Sequence, residues 1–321
     1  MRHRRAARVI LAVLLAMSLV SCSGGHDDVP GPQRTKLKVV ASLFPLYDFA
    51  RAVGNGYADI SLLLPPGVEP HNFEPTPADM AKLNSADVFI YTNRYMEPWA
   101  EAMLKGTDRG RILIVDASRG IDFLRQAGDE GGSQEGKTHG HGEAQRIDPH
   151  IWLDLGNAEK MLDTIRDAFI SRDPVHRDIY LKNSGEYRAK LAMLDQKYRE
   201  DLSACRKKVM VDGGHYTFGY LAARYGLKYL AAYGLSPEAE PTAGDLARIS
   251  RIVRQEGLSH IFYEELLSPR IADTIARETG ATLLRLHGAH NISREELREG
   301  TTFISLMEKN LDQLVTGLQC R

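Results

Sequence analysis

Short apolar runs rich in β-branched residues alternate along this chain with longer stretches whose apolar positions recur three or four apart. "KLKVVAS" (36–42), "DISLLL" (59–64), "DVFIYT" (87–92) and "RILIVDA" (111–117) predict strands, with enough chain between them for helices. Helical pattern resumes over 157–170. Asp173-Pro174 then opens an unbroken segment to 204, with Pro174 suited to a first helical turn. Within it Val175, Ile179, Leu181, Tyr187, Leu191, Leu194, Tyr198 and Leu202 recur as on one helix face. A second alternating set follows: "KKVMVDG" (207–213), "KYLAAY" (228–233), "HIFYEE" (260–265) and "TLLRL" (282–286), then a last helix over 301–318. The pattern predicts an α/β fold: two Rossmann-like lobes with mainly parallel sheets, joined by one long rigid helix.

The chain's ends and composition divide it further. Arg2, Arg4, Arg5 and Arg8 precede an apolar run over 9–20 that closes in "LVSC" (19–22), the layout of a secretory signal. An apolar stretch this short does not suit a membrane span. The closing tetrapeptide resembles a bacterial lipobox, which implies cleavage before Cys22 and a lipid anchor on its sulfur; the alternative is an ordinary residue at a signal end. The expected order is a signal peptide (1–21), a tether (22–36), a first lobe (37–172) containing a Gly-, Asp-, Glu- and His-rich mobile loop (118–146), a linking helix (173–204) and a second lobe (205–321). A net charge of −1 supplies no basic field for nucleic acid. Beyond Cys22 the cysteines are Cys205 and Cys320; an exported location permits a disulfide, and sequence leaves open whether they meet.

Candidate chemistry gathers at predicted strand ends. His71 follows the second strand inside "LLLPPGVEPHNFEPTPADM", where Pro65, Pro66, Pro70, Pro75 and Pro77 stiffen the loop. His150 lies in "DPHIWLD", His215 in "VDGGHYTFGY" directly after a strand, and His287 after "TLLRL". Ligands of open α/β sheets bind beyond the carboxyl ends of strands, and clustered imidazoles suit Zn²⁺. His176 and His260 begin a helix and a strand, so they read as surface residues.

These motifs, with "GGHYTFGYLAARYGL" and "IFYEELLSPRIADTIARETGATLLRL", resemble the zinc/manganese class of periplasmic solute-binding lipoproteins of bacterial ABC metal importers. The resemblance runs from about residue 36 to the C-terminus. It implies an exported, lipid-anchored monomer that holds Zn²⁺, with Mn²⁺ or another transition metal as the alternative, between its lobes and passes it to a membrane permease. His71 and His150 match the family's first two ligands, and His215 a third that is histidine or glutamate. The fourth is usually an aspartate; His287 stands at that place, with His290, Glu264 or water as alternatives. Asp148 and Asp154 flank His150, either able to orient an imidazole or to be a solvated loop acid. His139 and His141 fall where zinc-type members carry a histidine-rich insertion, and are either a weak zinc trap or plain linker. A zinc hydrolase with Glu264 as base is the competing reading; "HExxH" and a nucleophile elbow are both missing. A receptor for a metal chelate would need aromatic or Arg contacts and leave the histidines unexplained.

Overall fold

The computed structural model describes residues 36–108, 110–126, 147–235, 240–266 and 268–320. The expected signal peptide, Cys22, most of the tether, residues 127–146 and with them His139 and His141 lie outside the described residues. Strands β1 (Leu37–Ala41), β2 (Ala58–Leu62), β3 (Val88–Tyr91) and β4 (Leu113–Asp116) form one sheet in the order β2-β1-β3-β4. Strands β5 (Val209–Asp212), β6 (Lys228–Ala231), β7 (His260–Glu264) and β8 (Thr282–Leu286) form a second in the order β6-β5-β7-β8. Every pairing inside the two sheets is parallel. Each sheet therefore reverses its winding between its two central strands, the place where α/β folds open a crevice.

The helices are α1 (Phe44–Gly54), α2 (Pro77–Asn84), α3 (Pro98–Lys105), α4 (Leu155–Arg172), α5 (Arg177–Ser203), α6 (Gly219–Tyr225), α7 (Ala243–Gln255), α8 (Arg270–Thr279), α9 (Arg294–Arg298) and α10 (Phe303–Gly317). The expected linking helix divides into a 3₁₀ turn, Pro174–His176, and α5 with its 27 residues. At 1.5 Å per residue α5 is about 40 Å long, enough to run past both sheets. Its buried face is Tyr180, Ser184, Tyr187, Leu191, Leu194, Tyr198 and Leu202. Val175 and Leu181, expected on that face, are exposed. The stripe is in phase with Tyr180 and Ser184, and Leu181 lies one position, about 100°, off it.

One apolar core passes from the first sheet (Val39, Val88) through α5 (Tyr187, Leu191, Tyr198) to the second (Phe262, Leu286) and α10 (Phe303, Leu314). Smaller clusters cover the outer faces, around Phe89 and Trp99 on one sheet and Val211 and Ile261 on the other. Polar ties cross the same core. Buried Asp48 of α1 accepts from Tyr187 Oη of α5 (2.7 Å) and from the Phe303 amide at the start of α10 (2.9 Å). Cys205 and Cys320 do meet, in a disulfide that fastens the chain end beside the exit of α5.

Candidate metal centre

His71, His150 and His215 come together beyond the carboxyl ends of the strands, each offering a ligand atom within 4.8 Å of the others. The Nε2 atoms of His71 and His150 are 3.4 Å apart, and those of His150 and His215 3.2 Å. Ligand nitrogens about 2.05 Å from a tetrahedral Zn²⁺ are separated by about 3.3 Å, so this spacing is that of a zinc coordination edge.

Local structure presents each imidazole. The Trp99 indole donates to Pro70 O (3.0 Å) and stacks edge-on with Phe73, fastening the loop on either side of His71. His150 caps the 3₁₀ turn Ile151–Leu153, and Asp148 Oδ1 accepts both its amide (3.0 Å) and its Nδ1–H (2.9 Å). Glu264, at the end of β7, does the same for His215: Oε1 accepts the amide (2.6 Å) and lies 2.9 Å from Nδ1. A carboxylate on Nδ1 sets the tautomer and leaves the Nε2 lone pair for a metal. Asp148 is thus the orienting acid, whereas Asp154 caps α4 through the Gly156 and Asn157 amides and pairs with Arg224.

Gly213 and Gly214 serve close packing. A Cβ on Gly214 would meet Glu264 Oε1 at 2.0 Å, and one on Gly213 would meet Ala272 Cβ at 2.5 Å. Thr217 Oγ1 donates to the second oxygen of Glu264 (3.0 Å), locking the carboxylate. The carboxyl of Glu69, two residues before His71, has a buried Oε1 without a hydrogen-bond partner among the described residues. Sequence reading passed over Thr217 and Glu69, whose only signals were proximity to a ligand histidine.

His287 is not brought to the three-histidine cluster. Its Nδ1 faces Glu265 Oε1 (3.2 Å) and accepts the Ala289 amide (2.9 Å), while Nε2 faces Glu296 Oε1 (3.6 Å). The chain then doubles back through Ala289 at φ 57°, and buried His290 stands beside the cluster, its ring centroid 6.3 Å from that of His215. Glycine is required at 288 because a Cβ there would lie 2.7 Å from His290 Nδ1. Glu264 is likewise no ligand-distance neighbour of the three Nε2 atoms as a group; it stands behind His215.

Burial, reinforced by the neighbouring histidines, holds His71, His150 and His290 well below the usual imidazole range, so all three are neutral and ready to ligate. His215 moves upward: burial opposes its charge, but the charge and hydrogen bond of Glu264, with the charges of Glu69 and Asp212, outweigh it. Burial pushes the Asp148 carboxyl up to about 7.

The family described as zinc-uptake complex component A, periplasmic, matches residues 39–317. The chain is 37% identical over 311 residues to the high-affinity zinc uptake system protein ZnuA of Bacillus subtilis (strain 168), covering 96% of this chain and 97% of that protein. It is 36% identical over 309 residues to the zinc-binding lipoprotein AdcA of Streptococcus pneumoniae, covering 95% of this chain but 60% of AdcA. The Zn(II)-bound ZnuA-like domain of that AdcA superposes with a TM-score of 0.74 at 34% identity, over 88% of this chain and 99% of the domain.

Proposed function

The chain belongs to the zinc-uptake complex component A family of periplasmic proteins, and from that premise we propose that it captures Zn²⁺ through His71, His150 and His215, with His290 as the fourth ligand. It is the metal-binding receptor of a zinc importer. The observation that carries the ligand set is the placing of His150 Nε2 at zinc-edge spacing from both His71 Nε2 and His215 Nε2, with His150 and His215 held by carboxylates on the opposite ring nitrogen. Imidazole ligands favour Zn²⁺ over Mn²⁺, which prefers oxygen donors. Four ligands close the coordination sphere, whereas a zinc hydrolase keeps a position for water. The protein is therefore a carrier, with no reaction of its own.

In this reading the chain is exported, Cys22 carries the lipid anchor, and the soluble body works as a monomer. Its lobes, 37–172 and 205–321, flank the linking segment 173–204 and pass the ion to an ABC permease. His71, half-buried while His150 and His215 are buried, marks the side by which the ion enters and leaves. The test is a competitive titration of the metal-stripped protein with Zn²⁺ and Mn²⁺, repeated on His150→Ala, His290→Ala and His287→Ala. One tight zinc equivalent is expected, lost in His150→Ala, clearly weakened in His290→Ala and little changed in His287→Ala. Tight binding that survives His150→Ala would refute this site, and a larger loss at 287 than at 290 would return the fourth ligand to His287.

A further inference from the structure

The loop that carries His290 emerges from the second sheet, yet its polar groups are held by the first lobe. Asn291 is fully buried, and its Nδ2 donates to Pro65 O (2.8 Å) and to Val68 O (2.7 Å), both in the stiff turn that leads into His71. Its Oδ1 accepts the Ile292 amide (2.8 Å), so every hydrogen-bonding group of this side chain is used. Neighbouring backbone groups follow the same direction: the Gly67 amide donates to Ile292 O (2.8 Å) and the Phe44 amide to His290 O (3.1 Å). The Trp152 indole, two residues past His150, donates to Gly288 O (2.8 Å).

We propose that Asn291 is a positioning residue for metal capture, which pins the His71 turn and the His290 loop at one spacing across the cleft whether or not metal is bound. The inference rests on the zinc-receptor reading above. A carboxamide suits the task because one planar group donates twice to converging carbonyls and accepts once from its own loop; an aspartate would set oxygen against oxygen. Pre-organisation of this kind removes ordering cost from binding, and its loss is felt chiefly in the rate of release.

The test compares full-length protein with Asn291→Ala, each stripped and reloaded, using Zn²⁺ release to a chromophoric chelator from the Zn²⁺-loaded form and the visible spectrum of the Co²⁺-loaded form. Asn291→Ala should release Zn²⁺ about 10-fold faster, the scale of losing a buried hydrogen bond between the two ligand loops. Its Co²⁺ bands should weaken and shift as tetrahedral geometry loosens, while helical circular dichroism stays the same. Unchanged release and an unchanged Co²⁺ spectrum would overturn the proposal and leave Asn291 as packing. Failure of the unsubstituted protein to bind Zn²⁺ would instead overturn the receptor reading, and this one with it. Hydrogen exchange of the unsubstituted protein covers a variant that does not fold. The Gly67 and Phe44 amides should be protected without metal, and fast exchange at both would refute a preformed strap.

Discussion

At the scale of single residues, the site is decided by which carboxylate reaches which imidazole. Asp148 and Asp154 flank His150 in sequence, but only Asp148 shares an oxygen with the His150 amide and Nδ1; Asp154 is occupied by a helix end and by Arg224. Gly214 shows the same dependence on contact: the dipeptide signals a tight place, and only the structure shows that Glu264 fills it. Gly214→Ala should push Glu264 off His215 and weaken zinc binding by about 10- to 100-fold, as loss of an orienting partner does. Titration alongside Glu264→Gln checks it: the two variants should lose affinity together, and full affinity in Gly214→Ala would refute the cradle.

At the scale of elements, strands were legible because short β-branched runs bounded by turn residues have few alternatives, and the observed ends differ from those expected by a residue or two. The face of α5 was legible in period but not in phase at its first turn, where exposed Val175 and Leu181 imitate the buried stripe. Buried Glu97 escaped sequence reading because nothing marks a lone acid before "PWAEAM" as internal. It closes the crevice of the first sheet, accepting from the Thr92 (2.7 Å) and Asn93 (3.2 Å) amides and from Ser42 Oγ. Asn93 in turn donates to Pro149 O (3.0 Å), beside His150. Burial raises the Glu97 carboxyl from 4.5 to about 7. A raised carboxyl favours the fold below its unfolded value and loses that contribution as pH climbs through the folded one. Between pH 5 and 8 this group should therefore remove about 3 kcal/mol of stability. Denaturant melts across that range should show the decline in wild type and a flatter profile in Glu97→Gln, whose amide mimics the protonated acid. Parallel profiles would contradict this assignment.

At the scale of the whole molecule, the two sheets share one core, and α5 with α10 forms the spine between them. The disulfide closes a 115-residue separation that contains all four strands of the second sheet. Loop closure of that length is worth roughly 2–5 kcal/mol. It also lies at the amino ends of the strands, opposite the histidines: Cys205 precedes β5 and His215 follows it. Reduction should lower the unfolding temperature by several degrees and leave zinc affinity unchanged, which calorimetry and titration of the reduced, alkylated protein would check. A parallel loss of zinc affinity would mean that the spine transmits to the cleft.

The sequence by itself determined the alternation of elements and the two mainly parallel sheets, because those follow from local periodicity, and it offered His71, His150 and His215 as one set through their motifs, not through spacing. Tertiary structure alone decided which histidine accompanies them. Only Gly288 and Ala289 separate His287 from His290, and the chain reverses between them through Ala289 in a left-handed conformation that no local pattern announces. That reversal is held by contacts remote in sequence, from Pro65, Val68 and Trp152, so its direction is a property of the assembled core.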